Sequence, residues 1–206
     1  MCFGKIFISL NIFERRIQMD KLTKERKSEI EAQANSIREK YSLGTSLDLI
    51  EFLTEKLGYE IQLRQINDDT TGMLFINELE KVEQSNSHNV IVINAKLLND
   101  SLFKQKRRFI CAHEYGHAVL HKGNSLVFAR RDTNEKNSEE EQEAEYFAYC
   151  LLLPKDSINM LMTDNSLKSV IEHIKSKRHI TTGEIIAELF NVTPKKANAR
   201  LKQLGY

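Results

Sequence analysis

His113-Glu114-Tyr115-Gly116-His117 is the stretch of this 206-residue chain best equipped for chemistry. Its pattern is H-E-x-x-H. Residues four apart on an α-helix lie one turn apart on one face, so both imidazoles can reach a single ion. Glu114 is turned by about 100° from His113 but leans toward the same site. From there its carboxylate meets a water on the metal rather than the metal. Zinc lowers the pKa of such a water to about 7, and a neighbouring carboxylate takes its proton as it attacks a carbonyl. Phe109, Ile110, Ala112 and Leu120 flank the motif. These apolar neighbours predict a buried helix, where histidines without partners are costly.

An open catalytic zinc site needs three protein ligands and a water. His121 lies eight residues from His113, about 12 Å along the helix axis, too far for the same ion. It is expected beside the ligands or at the surface. Cys111 faces roughly the opposite side of the helix and reads as core. The better third ligand is a carboxylate from the next helix, where Glu139-Glu140-Glu141-Gln142-Glu143-Ala144-Glu145 supplies several. Glu141 and Glu145 share one face, while Glu143 points away from Glu141. Spacing leaves Glu141 and Glu145 both open. Ser138-x-x-Glu141 also reads as a capping box, and acidic residues suit a helix N-terminus in any case.

The elements that must hold these groups show in the periodicity. Ile30, Ala34, Ile37 and Tyr41 recur at helical spacing between Lys21 and Tyr41. Gly44 breaks that helix. Ser46 is expected to cap a second, with Leu47, Ile50, Leu53 and Leu57 on one face and Gly58 as the stop. The period then changes: Tyr59 to Leu63, Gly72 to Ile76 and Asn89 to Asn94 read as three strands, the last two joined by a hairpin loop over Glu78 to His88. Helical spacing returns from Leu102 to His121 and from Ser138 to Leu153, with Pro154 as a stop. Shorter helices are expected near 155–163, 166–177, 182–190 and 194–204. The predicted fold is α+β, a zincin-like core with a small, mainly antiparallel sheet and an active-site helix, followed by a helical, helix-turn-helix-like C-terminal region. The expected divisions are a flexible leader over 1–20, a protease domain over 21–157 and the helical region over 158–206.

Composition narrows the setting. With 41% hydrophobic residues, 29% charged residues and a net charge of +1, the chain is neither disordered nor basic enough overall to grip nucleic acid. Its longest apolar stretches fall far short of the ~20 residues a bilayer needs, so no membrane partner is expected. Cys2, Cys111 and Cys150 are odd in number and widely spaced, which argues against disulfides and predicts a cytoplasmic protein.

The run from Phe109 through His113-Glu114-Tyr115-Gly116-His117, then Glu141-Gln142-Glu143-Ala144-Glu145-Tyr146-Phe147-Ala148, then Leu151-Leu152-Leu153-Pro154, resembles the ImmA/IrrE family of metallo-endopeptidases. In that gluzincin-like family, H-E-x-x-H is followed by E-x-x-A-(N/D)-x-F-A and L-L-M-P. The resemblance covers about 47–205 and is strongest from 109 to 154; Gly72 and Asn94 fit the same rhythm. It implies that His113, His117 and Glu141 hold zinc and that Glu114 is the catalytic base. Glu145 stands where the family has Asn or Asp, and Leu153 where it has Met, the latter a volume-conserving change. Glu145 and His121 are the candidates for a partner behind a ligand histidine. Tyr146, Tyr149 and His121 are the candidates for stabilising the transition state, each read first as structural. Two imidazoles and one carboxylate suit manganese as well as zinc. By analogy with zincins, the strand near 72–76 is expected to offer its edge to an extended substrate.

The resemblance implies a narrow substrate, a helix-turn-helix transcriptional repressor of a mobile element or stress regulon, whose cleavage relieves repression. Two alternatives are a regulator that keeps zinc and sequesters the repressor without cutting it, and a DNA-binding regulator acting through 182–204. Residues 165–206 carry eight cationic side chains against three anionic ones, a net +5. Thr193 and Pro194 open a second helix after a tight turn, as in DNA-reading helix pairs. Helix pairs are also common packing units, so this one is expected to close the protease rather than read DNA. The cluster Lys104-Gln105-Lys106-Arg107-Arg108 is read as a solvated first turn.

Overall fold

The computed structural model describes residues 22–45, 47–67, 70–75, 89–121, 128–129 and 139–206. The expected leader over 1–20, Ser46, the 78–88 hairpin loop and Ser138 lie outside them. The first helix, α1 (Lys24–Lys40), opens on Thr23, whose hydroxyl accepts from the Arg26 amide, and buries Ile30 and Ala34. The second differs from its expectation. Asp48 is its cap, accepting from the Ile50 and Glu51 amides, and α2 (Leu49–Glu51) runs on as a π-helical turn (Phe52–Lys56). Leu49, Phe52 and Leu53 are the buried residues, so the apolar face starts two residues later than the Leu47 spacing implies. A carboxylate at a helix N-terminus satisfies two amides and meets the positive end of the dipole.

Three strands stand where alternation placed them: β1 (Glu60–Arg64), β2 (Gly72–Phe75) and β3 (Val90–Asn94). A fourth, β4 (Phe128–Ala129), rises from the polar stretch between the two long helices and was not expected. The sheet order is β1-β3-β2-β4. β1 runs parallel to β3, whereas β2 is antiparallel to both β3 and β4. The antiparallel β2–β3 pair fits a hairpin. The expectation of a free edge on β2 is overturned: Met73 and Leu74 pair with Ala129 and Phe128. The chain leaving the long helix returns to cover that edge, and β1 and β4 are the outer strands.

Helical periods from residue 102 onward translate closely into structure. They give α3 (Phe103–Leu120), α4 (Glu139–Leu152), α5 (Lys155–Thr163), α6 (Asn165–Arg178), α7 (Thr182–Phe190) and α8 (Pro194–Gln203). α3 packs antiparallel to α4, with Phe109 against Tyr149 at one end and Gly116 against Ala144 at the other. α1 also packs on α4. Edge-to-face rings link Tyr41, Phe52, Tyr115 and Phe147 through the centre. Ile186, Phe190, Ala197 and Leu201 join the same hydrophobic core as Ile30, Leu74, Ile91 and Phe147. Side chains from both sides of the expected 157/158 boundary therefore share one interior. No helix among the described residues is long and apolar enough to cross a membrane.

Candidate metal centre

α3 carries the H-E-x-x-H motif through the middle of the molecule, and its length from Arg108 to His117 is mostly buried. Gly116 brings α4 close: a Cβ there would lie 3.1 Å from the Ala144 carbonyl oxygen and 3.2 Å from the Ala144 Cα. That close approach delivers the first turn of α4 to the histidines. Glu141 places Oε2 3.3 Å from His113 Nε2 and Oε1 3.2 Å from His117 Nε2. The two Nε2 atoms are themselves 3.2 Å apart. His113 and His117 are buried and Glu141 is partly exposed.

These separations test whether the residues fit an ion. Ligand atoms about 2.0–2.1 Å from a tetrahedral zinc stand roughly 3.3 Å from one another. The separation of the two imidazole nitrogens, and the distance from each of them to one of the Glu141 oxygens, agree with that spacing. Two imidazole nitrogens and a carboxylate oxygen are also donors that zinc accepts.

Glu114 is 4% exposed and stands beside the first residue of β2. A Cβ on Gly72 would come within 2.8 Å of its Oε1. The approach is held from behind by Asn94, whose Nδ2 donates to the carbonyls of Asn67 and Thr70 just ahead of β2. Its Oδ1 accepts from the Lys96 amide. The Gly72 and Asn94 rhythm thus has a local cause, since one lets backbone approach the carboxylate and the other fixes that backbone.

A match to known families covers residues 50–202, and the matching model is the IrrE N-terminal-like domain, Peptidase M78. This chain belongs to that family. A 58-residue stretch is also 40% identical to "Uncharacterized immunity region protein 2" of Bacillus phage phi105. That stretch covers 28% of this chain and 37% of the phage protein, so the likeness spans little more than a third of that relative.

In this IrrE N-terminal-like domain the other candidate side chains fall into two groups. His121 ends α3 and sets its Nδ1 3.2 Å from His117 Nδ1, on the side away from Glu141. Its Nε2 is 3.0 Å from Glu143 Oε2. Glu145 turns to α8, accepting from Lys196 Nζ at 2.7 Å and from the Tyr149 hydroxyl at 3.3 Å. Burial pushes the Glu145 pKa up, but the charge and hydrogen bond of Lys196, with smaller contributions from His113 and Tyr149, together leave the carboxyl below its ordinary value. Tyr149 also packs on Phe109. Tyr146 faces Arg200, on the face of α4 remote from Glu141.

Two residues that spacing did not single out complete the surroundings. Glu143 is buried between α4 and α1, where Arg26 donates from Nε to Oε1 at 2.5 Å and from Nη2 to Oε2 at 2.8 Å. Hydrogen bonding from Arg26 holds the Glu143 carboxyl below its ordinary pKa despite burial. The available signal was the four-residue step from His117 to His121, which carries the histidine stripe on toward a further acceptor.

The basic residues of the C-terminal pair are partly turned inward. Arg200 is fully buried; its Nε donates to the Leu153 carbonyl at 3.1 Å and its Nη2 to Glu31 at 3.0 Å. Lys196 lies 3.9 Å from the centre of the Phe109 ring. The face of α8 that holds Ala197, Arg200 and Leu201 is buried. Arg108 likewise departs from the solvated turn expected of it. It is 4% exposed and donates to the carbonyls of Leu47, Phe190 and Asn191, and burial lowers its pKa to about 10. It ties the active-site helix to the C-terminus of α7, whose last carbonyls need donors.

Proposed function

We propose that this chain is a cytoplasmic, zinc-dependent endopeptidase that cleaves a helix-turn-helix transcriptional repressor. The observation that carries the reading is the cluster of His113 Nε2, His117 Nε2 and the Glu141 carboxylate, with the Glu114 carboxylate one residue along the His113 helix. His113, His117 and Glu141 would hold the ion; manganese suits the same donors. Bound there, a divalent cation would supply polarisation of the scissile carbonyl and a water of lowered pKa, about 7 for zinc. Glu114 takes the proton from the attacking water on a carboxylate oxygen and returns it to the amine nitrogen as the C–N bond breaks. Gly72 keeps the space in front of that oxygen clear.

A peptide as substrate is supported by membership in a peptidase family. A repressor is supported by the ImmA/IrrE resemblance and by the immunity-region name of the phage relative. The inward packing of Lys196 and Arg200 favours this reading over operator binding through 182–204.

The test is to incubate the zinc-loaded protein with the purified repressor encoded beside its gene. Two fragments are expected, and none after chelation. Glu114→Gln is expected to retain zinc and lose at least about 100-fold in cleavage rate. Normal cleavage by that variant would overturn the mechanism. A stable complex without fragments would favour sequestration.

A further inference from the structure

We infer that α1 is part of the metal centre, with Arg26 positioning His117 for ligation through Glu143 and His121. The inference rests on the ligand assignment proposed above. His117 Nε2 faces His113 and Glu141, so a ligating His117 carries its proton on Nδ1. That N–H donates to His121 Nδ1 at 3.2 Å, which must then be bare. The His121 proton is therefore on Nε2, where it donates to Glu143 Oε2 at 3.0 Å. Glu143 can only accept here, because Arg26 donates to both of its oxygens and a guanidinium has no acceptor.

In the ligating arrangement each donor from Arg26 to His117 meets an acceptor, and burial keeps water from competing, with the His121 side chain 7% exposed and that of Glu143 8%. Arg26 lies before residue 50, where the family match begins, so the last link comes from a helix outside the matched segment. Arg26, Glu143 and His121 are positioning residues and touch no reacting atom.

Zinc affinity by competition with a chromophoric chelator, together with the visible spectrum of the cobalt-loaded protein, tests this on the full chain. Arg26→Ala is expected to weaken zinc at least about tenfold and to change the cobalt spectrum. Arg26→Lys, which keeps the charge but not the two-pronged geometry, should fall between. Glu31→Ala cuts a different tie between α1 and the body, at Arg200, and should leave zinc affinity unchanged. Wild-type affinity in both Arg26 variants would overturn the inference, as would equal losses in Arg26→Ala and Glu31→Ala, which would mark a mere docking role. Should Arg26→Ala fail to fold, the comparison of Arg26→Lys with Glu31→Ala decides. If the unmodified protein takes up neither zinc nor cobalt, the ligand assignment itself fails and this inference falls with it.

Discussion

Gly72 on β2 and Glu114 on α3 meet so closely that a methyl group at position 72 would lie 2.4 Å from Ile110 Cγ2 and 2.8 Å from Glu114 Oε1. Gly72→Ala must therefore push the strand off the helix or turn the carboxylate away. Overpacking of this kind costs about 1–3 kcal/mol. Cleavage should fall much more than zinc affinity, since Glu114 moves and the three ligands do not. Denaturant melts, a zinc titration and a cleavage assay on the variant separate these effects.

Gly116 controls a different distance. Its absent side chain lets α4 approach until the Ala144 backbone and the Phe147 ring are within 3.1–3.2 Å of where a Cβ would be. Gly116→Ala adds helix propensity but wedges the helices apart by a few tenths of an ångström. The expected outcome is weaker zinc binding, because Glu141 rides on α4, with a loss of about 1–2 kcal/mol in stability. Chelator competition and a thermal melt check both.

Arg200 is fully buried, and it links α8 to the Leu153 carbonyl and to Glu31. Arg200→Ala leaves both acceptors behind and opens a void. The stability loss should be about 3 kcal/mol, the lower end for a broken buried pair, because Glu31 keeps some contact with water. Urea unfolding of the variant measures it.

Cys150 gives a pH dependence. Burial pushes its thiol up to about 12 from an ordinary 9.0. Between those values the unfolded chain releases a proton that the folded chain keeps. This contribution to stability is complete below about pH 9 and is lost as the pH climbs toward 12. Cys150→Ala should therefore lose less stability than the unmodified protein between pH 8 and pH 10.5, by up to about 2 kcal/mol. Denaturant midpoints at the two pH values test the sign. A thiol-alkylating reagent at pH 8 should likewise leave Cys150 unmodified in the folded state.

Helix positions were legible because their cause is local. The spacing from Leu102 to His121 and the Thr193–Pro194 start each depend on residues within a turn or two, and α3 and α8 begin within a residue of where that spacing places them. The second helix was misjudged because Ser46 and Asp48 are both plausible caps, and only the burial of Leu49 and Phe52 distinguishes them. β4 was missed because two residues in a polar stretch carry no alternation; pairing with β2 makes them a strand.

By itself the sequence determined that two imidazoles share one helical stripe, with the Glu114 carboxylate one residue along, because a 3.6-residue repeat is built into the backbone whatever surrounds it. Spacing could not choose between Glu141 and Glu145, which lie on one face of α4. Packing chose, at Gly116, by bringing the first turn of α4 over the histidines while Lys196 drew Glu145 toward α8. Only the tertiary structure could join Arg26 to Glu143 across 117 residues, or bury Arg200 against Glu31 across 169. A charged side chain has no local period that reveals its partner. Whether it meets solvent or a buried carboxylate depends on which helix is laid against it.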